Sequence, residues 1–166
     1  GDENAISATA DMAQALSTAG QNTSVGALVI DLRGNPGGYL EEAVSMAGLF
    51  MGDAPSVAVV EQSRTRVLND LRTKALYSGP LVALVDADTA SAGELLVAAL
   101  KDYRRAVVVG SPATYGKGSV QRLFQLDDPF LQMGLEVEKG VLRLTTSLFY
   151  SPLGHSPANG GVATDI

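Results

Sequence analysis

Apolar residues in this chain fall into two patterns that alternate from residue 25 onward: short continuous runs and helically spaced positions. The short runs occupy residues 25–34, 56–61, 80–86 and 105–110. They are typical of strands in a parallel sheet, and we expect the first to be buried on both faces. Residues 39–51 and 91–103 have helical spacing. Strands that alternate with helices predict an α/β domain with parallel strand pairs.

The N-terminal part lacks this alternation. Residues 3–19 carry apolar side chains among polar ones at helical spacing, and we expect an amphipathic helix that Gly20 closes. Residues 62–78 fit neither a helix nor a strand clearly. No repeat, linker or low-complexity stretch divides the chain, so we expect a single domain over residues 1–166.

The C-terminal part is rich in residues that favour strands. A loop is predicted over residues 111–119. Further on, Lys139 and Gly140 could form the turn of a hairpin whose second strand is residues 141–150. The pattern as a whole therefore predicts an α/β fold made of strand-helix repeats around a parallel sheet, followed by a β-rich end.

Composition limits the classes of partner. The chain has 166 residues, of which 46% are apolar, so it can bury a core of ordinary size. Its net charge of −6 and its lack of a basic run argue against nucleic acid and anionic membrane surfaces. Without cysteine, disulfides, thiolate catalysis and cysteine zinc sites are excluded, but the compartment stays open.

No apolar run approaches the roughly 18 residues of a membrane span. The polar start GDENAIS is not a signal peptide, and we expect the sequence to be a piece of a longer, exported precursor.

The glycine-rich loops do not match nucleotide-binding motifs. Five residues separate Gly110 from Gly116 where a phosphate loop has four, and Gly118 stands at its Ser/Thr position. The loop at residues 34–38 lacks the dinucleotide spacing. Nucleotide binding is therefore a poor hypothesis.

Ser91 has two interpretations. It precedes an apolar helix and has Glu94 three residues later, which is a capping box and needs no chemistry. It also follows a buried strand, where α/β folds place ligands and where a helix N-terminus favours developing negative charge. Alone, the first interpretation is preferred.

A nucleophilic serine needs a base. His155 is the only histidine, but its loop composition favours a surface position. Lys117 lies between two glycines and has the ordinary alternative of a solvated loop lysine. A lysine base near neutral pH requires burial against apolar walls, so this alternative predicts a dry site.

Three segments in order resemble the C-terminal processing, or tail-specific, serine proteases. They are residues 28–50, 79–110 and 114–121, and the closing residues 148–166 resemble the family's ending. The similarity covers about residues 25–166. It implies a crotonase/Clp-protease-like core, here without the PDZ-like domain and N-terminal strands of that family.

Residue by residue, the resemblance implies Ser91 as the nucleophile, Lys117 as the general base and Gln121 as the group that orients the lysine amine. The backbone N–H of Ala92, with that of Gly37 or Gly38, would form the oxyanion hole. The two glycines have an ordinary alternative as turn residues.

We expect Asp31 and Arg33 to hold the turn that precedes these glycines rather than to touch substrate. No metal and no cofactor is implied.

The implied function is that of a serine endopeptidase of the Ser-Lys type, which cleaves proteins at or near free C-terminal tails in a bacterial periplasm or cell envelope. Adaptors and self-association stay unassigned. A non-catalytic peptide-binding or scaffold module with the same fold is the alternative, and an acyl-CoA enzyme on a related core is a third.

Overall fold

The computed structural model describes residues 7–22, 25–62, 64–125, 140–158 and 160–166. Helices and strands alternate through the first two thirds of these residues, and strands follow. In chain order the elements are α1 (Ala8–Asn22), β1 (Leu28–Asp31), α2 (Leu40–Met51), β2 (Val57–Glu61), β3 (Arg64–Leu68), β4 (Leu81–Val85), α3 (Ala92–Asp102), β5 (Val107–Gly110), β6 (Ser119–Gln125) and β7 (Val141–Tyr150).

The strands form two sheets. A parallel sheet has the order β1-β4-β5, and an antiparallel sheet has the order β3-β2-β7-β6. In the parallel sheet Ile30 is opposite Ala83, which is opposite Val108, and these three residues are buried. The predicted α/β class, with a parallel sheet and a β-rich C-terminal part, is confirmed.

Helix α3 lies at the centre of the fold. Its residues 93–100 are all buried, which explains why every residue of this segment except Glu94 is apolar. Helix α2 is amphipathic and packs beside it through Val44 and Ala47. The helices and the parallel sheet enclose the larger apolar cluster.

A second, smaller apolar cluster connects the helices to the antiparallel sheet. It joins Val44 of α2 and Leu95 of α3 to Val57, Val59 and Phe149 of β2 and β7. The N-terminus of α3 therefore meets both clusters, and the turn before it is held by rigid elements on each side.

The predicted end of the first helix is wrong. We expected Gly20 to close it, but α1 continues through Gly20 to Asn22. A glycine inside a helix costs only about 1 kcal/mol relative to alanine, so it does not end a helix unless the chain also turns there.

The prediction that the first strand is buried on both faces is also wrong. In β1 only Ile30 is buried, and Val29 is 56% exposed. Val29 shares a face of the parallel sheet with Val107, which is 44% exposed, so this face is only partly covered. The ambiguous residues 62–78 contain β3, which pairs with β2. The proposed hairpin turn includes Lys139, which lies outside the described residues, although β6 and β7 do pair as antiparallel neighbours.

Candidate active site

Ser91 is in the turn between β4 and α3, at the residue before the helix begins. Its φ of 56° and ψ of −117° form a conformation that costs a non-glycine residue of order 1–3 kcal/mol. Sharp strand-to-helix turns of this kind present a serine hydroxyl above the end of a sheet. Ser91 is thus the N-cap by position, and its strained backbone favours a functional role as well.

The Glu94 carboxylate connects Ser91 to the segment that carries Lys117. Glu94 is fully buried, and its Oε2 accepts hydrogen bonds from the backbone N–H of Ser91 at 2.8 Å and of Lys117 at 3.0 Å. Its Oε1 accepts from Thr114 Oγ1 at 2.7 Å and from the N–H of Gly116 at 2.6 Å. Four donors thus compensate this carboxylate for the loss of water.

The lysine loop, residues 111–118, is also held from the other side. The N–H of Thr114 donates to the carbonyl of Val162 at 3.2 Å, and the N–H of Val162 donates to Thr114 Oγ1 at 2.8 Å. Gly116 has a φ of +91°, and a Cβ there would lie 3.1 Å from the Gly161 nitrogen. Glycine is therefore required for this close approach of two backbones.

The glycine turn before α2 approaches Ser91 directly. A Cβ on Gly37, whose φ is +105°, would lie 2.6 Å from the Ser91 Cβ. Asn35 Oδ1 accepts from the N–H of Gly37 at 2.8 Å, so this amide is already engaged. In the described part of the chain the N–H groups of Gly38 and Ala92 have no acceptor. Of the two glycines expected in an oxyanion hole, Gly38 has the free donor.

Asp86 fixes the relative position of the two turns. Its carboxylate accepts from the N–H of Gly34 at 2.9 Å, of Asp88 at 3.0 Å and of Thr89 at 2.9 Å. The hydrogen bond from Gly34 is the main cause that lowers the pKa of Asp86 below its ordinary value of 3.8. Thr89 Oγ1 in turn donates to the carbonyl of Leu32 at 2.8 Å.

Asp31 and Arg33 pair with each other beside the glycine turn. Arg33 Nε and Nη2 donate to the Asp31 carboxylate at 2.9 and 2.7 Å, and these bonds lower the pKa of Asp31 to about 2. The pair agrees with the expectation that both residues support the turn.

One cavity of about 400 Å³ is lined by the predicted groups, although no hydrogen bond joins the side chains of Ser91, Lys117 and Gln121 in the described part of the chain. Charged side chains such as Glu61 and Arg66 also line the cavity, which contradicts the expected dry site. The cavity lies between the helix N-termini and the antiparallel sheet. Gly38 and Ala92, which carry the free amides, line it as well. A hydroxyl, a primary amine and two unengaged N–H groups around one cavity are the components of acyl transfer.

His155 is exposed and is not part of the cavity lining, as its sequence context predicts. Among the described residues no group of three or more His, Cys, Asp or Glu side chains is arranged to bind a metal ion. The described helices include none that is long and apolar enough to cross a membrane.

Comparison with known proteins identifies the family. The profile of Peptidase family S41 matches residues 3–166. The chain belongs to peptidase family S41. Its relatives include the tail-specific protease of Haemophilus influenzae, 40% identical over 88% of this chain, and the carboxy-terminal-processing protease of Bartonella bacilliformis, 37% identical over 83% of this chain.

The structure of this S41 chain resembles that of a solved relative, the photosystem II D1 C-terminal processing protease. The two superpose with a TM-score of 0.76 at 31% identity, over 95% of this chain and 38% of the other. The aligned region makes up 21% and 30% of the Haemophilus and Bartonella proteins. This S41 chain thus spans less than a third of the length of either curated relative.

Sequence reasoning missed two supports of this S41 site. It assigned Glu94 to a capping box, and the bond from the Ser91 N–H confirms that half of the motif. The lysine loop donates three further hydrogen bonds to Glu94, from Thr114, Gly116 and Lys117. These partners are 20 residues or more from Glu94 in the chain, and only the fold brings them together. The sequence indicated less about the role of Asp86, which is only an acidic residue at the end of a predicted strand.

We predict that Glu94→Gln lowers the free energy of unfolding by about 2 kcal/mol or more. The NH₂ group of the new side chain replaces one carboxylate oxygen and cannot accept a hydrogen bond, so buried donors that Glu94 binds lose their partner. Urea unfolding measures this loss. Glu41→Gln, at an exposed position of the same cavity wall, is the matched control and should stay near the parent value. Equal stability of the two variants would show that the Glu94 charge does not hold the turns.

A second prediction concerns pH. Because the folded-state pKa of Asp86 is lowered, its stabilisation is complete above the ordinary value of 3.8 and is lost as the pH falls through the lower folded value. Asp86→Asn should therefore be less stable than the parent at pH 7, and the difference should shrink in strong acid. Asp53→Asn, at an exposed position, serves as the control. A difference that stays constant from pH 7 to pH 2 contradicts the prediction.

Proposed function

We propose that this chain carries the catalytic centre of a serine endopeptidase of the Ser-Lys type. The observation that carries this proposal is the buried Glu94, which binds the backbone at both Ser91 and Lys117 and so fixes the two beside one cavity. Membership of peptidase family S41 supports the reaction class.

In the proposed first step the Ser91 hydroxyl attacks a peptide carbonyl and Lys117 Nζ takes its proton. The carbonyl oxygen becomes an oxyanion, and the N–H groups of Gly38 and Ala92 are available to bind it. Loss of one such donor typically costs 10²–10³ in rate. The strained backbone of Ser91 and the close approach of Gly37 to it support this assignment.

The protonated lysine then gives its proton to the leaving amine as the C–N bond breaks, which leaves an acyl ester on Ser91. Water hydrolyses the ester with Lys117 acting again as the base. Gln121 lies at the start of β6 and lines the cavity, and we assign to it the orientation of the lysine amine. The balance of protons requires no further group.

We propose protein substrates that are cleaved at or near a free C-terminal tail, in the periplasm or envelope of a bacterium. The relatives from Haemophilus and Bartonella, a tail-specific protease and a carboxy-terminal-processing protease, support tail-directed cleavage. Because this chain spans only part of those proteins, we assign to it the catalytic core and place tail recognition elsewhere in the full-length protein.

Labelling with a fluorophosphonate tests the dyad. Ser91 should react, and Lys117→Ala should slow the reaction by about 10²–10⁴-fold, the usual contribution of a positioned base. Lys74→Ala removes an exposed lysine away from the cavity and should leave the rate unchanged.

An unchanged rate in Lys117→Ala removes the lysine from the mechanism. If Ser91 does not react in the folded full-length protein, the chain is instead a non-catalytic module that keeps the protease fold.

A second experiment tests tail specificity. We expect the full-length protein to cleave a peptide with an apolar, free C-terminus about tenfold faster than its C-terminal amide, because a hydrogen bond to a charged carboxylate is lost in the amide. Residues 1–166 alone should not distinguish the two peptides. Equal rates for the full-length protein would exclude recognition of the terminal carboxylate.

A further inference from the structure

Three arginines line the cavity that contains Ser91. Arg66 lies on β3, Arg122 on β6 and Arg143 on β7, so they belong to the antiparallel sheet, whereas Ser91 belongs to the helix side. The chain carries a net charge of −6. The same lining carries two carboxylates, Glu41 and Glu61, and a fourth cationic side chain, Lys117, so the cavity has an excess of positive groups in an acidic chain. The proposed catalytic chemistry leaves the three arginines without a role.

The acidic group nearest to these arginines does not neutralise them. Glu61 Oε1 accepts from Arg66 Nη2 at 3.3 Å, from Arg122 Nη2 at 3.2 Å and from Ser147 Oγ at 3.2 Å. Charge-assisted bonds of this kind are usually 2.7–2.9 Å long. One oxygen is thus shared by two guanidinium groups at long distances, and each guanidinium retains free donors.

Arg66 has a buried donor that lacks a partner. Its Nε has no hydrogen-bond acceptor among the described residues, and a buried donor without an acceptor is unfavourable. Arg143 is exposed and forms no ion pair with a carboxylate of the described ranges, so its guanidinium is accessible to a ligand. An anionic ligand would satisfy the first donor and pair with the second arginine.

We propose that Arg66, Arg122 and Arg143 form a subsite that binds a carboxylate of the peptide substrate. This inference rests on the proposed peptidase function and adds a specificity to the same cavity. The planar fork of a guanidinium matches the two oxygens of a carboxylate, and a peptide offers that group along its length as an Asp or Glu side chain. The arginines select substrate and take no part in bond cleavage.

The test compares kcat/KM of the full-length protein for matched peptides. Each Glu near the cleaved bond is replaced by Gln, and the free C-terminus is kept in both peptides. We expect the parent to prefer the Glu peptide by about tenfold, the effect of one hydrogen bond to a charged group. A preference lost with Gln assigns the subsite to an acidic side chain of the substrate.

Arg143→Gln should remove this preference while the rate for the neutral peptide changes less than twofold. Arg64→Gln, which changes an exposed arginine of β3 outside the cavity lining, is the matched control and should keep the preference. Glu61→Gln should increase it, because the competing carboxylate is gone. Partial unfolding would lower the preference in both variants, so a loss in Arg143→Gln together with an increase in Glu61→Gln excludes it as the cause.

Equal rates for charged and neutral peptides in the parent, or an unchanged preference in Arg143→Gln, would overturn the inference. Fluorophosphonate labelling of Ser91 is measured in every variant, because it tests the proposed peptidase function independently of the subsite. With labelling intact, lost specificity concerns the subsite alone. A parent protein that is not labelled would overturn the peptidase function and the subsite with it.

Discussion

The arrangement of this site depends on one buried carboxylate. Glu94 has no contact with solvent, and it receives hydrogen bonds from the serine turn and from the lysine loop at the same time. Neither segment belongs to a regular element at the point of contact, so neither would be fixed by a helix or a strand alone. A single anion placed in the first turn of α3, where the helix dipole favours it, fixes both.

The fold gives that carboxylate a rigid base. Helix α3 is enclosed by two apolar clusters, one against the parallel sheet and one against the antiparallel sheet. Asp86 connects the glycine turn to the serine turn from the opposite side. Constraint from several directions explains how the strained backbone at Ser91 persists.

Much of this was predictable from sequence. The alternation of apolar runs predicted the α/β class, and the family resemblance of the segments around Ser91, Lys117 and Gln121 predicted these three lining residues of the cavity but not its arginines. The end of α1 and the burial of β1 were not predictable, because a glycine does not by itself end a helix and because tertiary packing decides which face of a sheet is covered. The hydrogen bonds of Glu94 to the lysine loop were not predictable either, because they join residues that only tertiary packing brings together.

The contact between Thr114 and Val162 has a consequence for biosynthesis. These partners are 48 residues apart in the chain. A ribosome therefore completes the serine turn, the helix behind it and the lysine loop well before it makes the segment against which that loop packs. Until residue 162 has been added and has folded back, the loop that carries Lys117 lacks the hydrogen bonds between Thr114 and Val162.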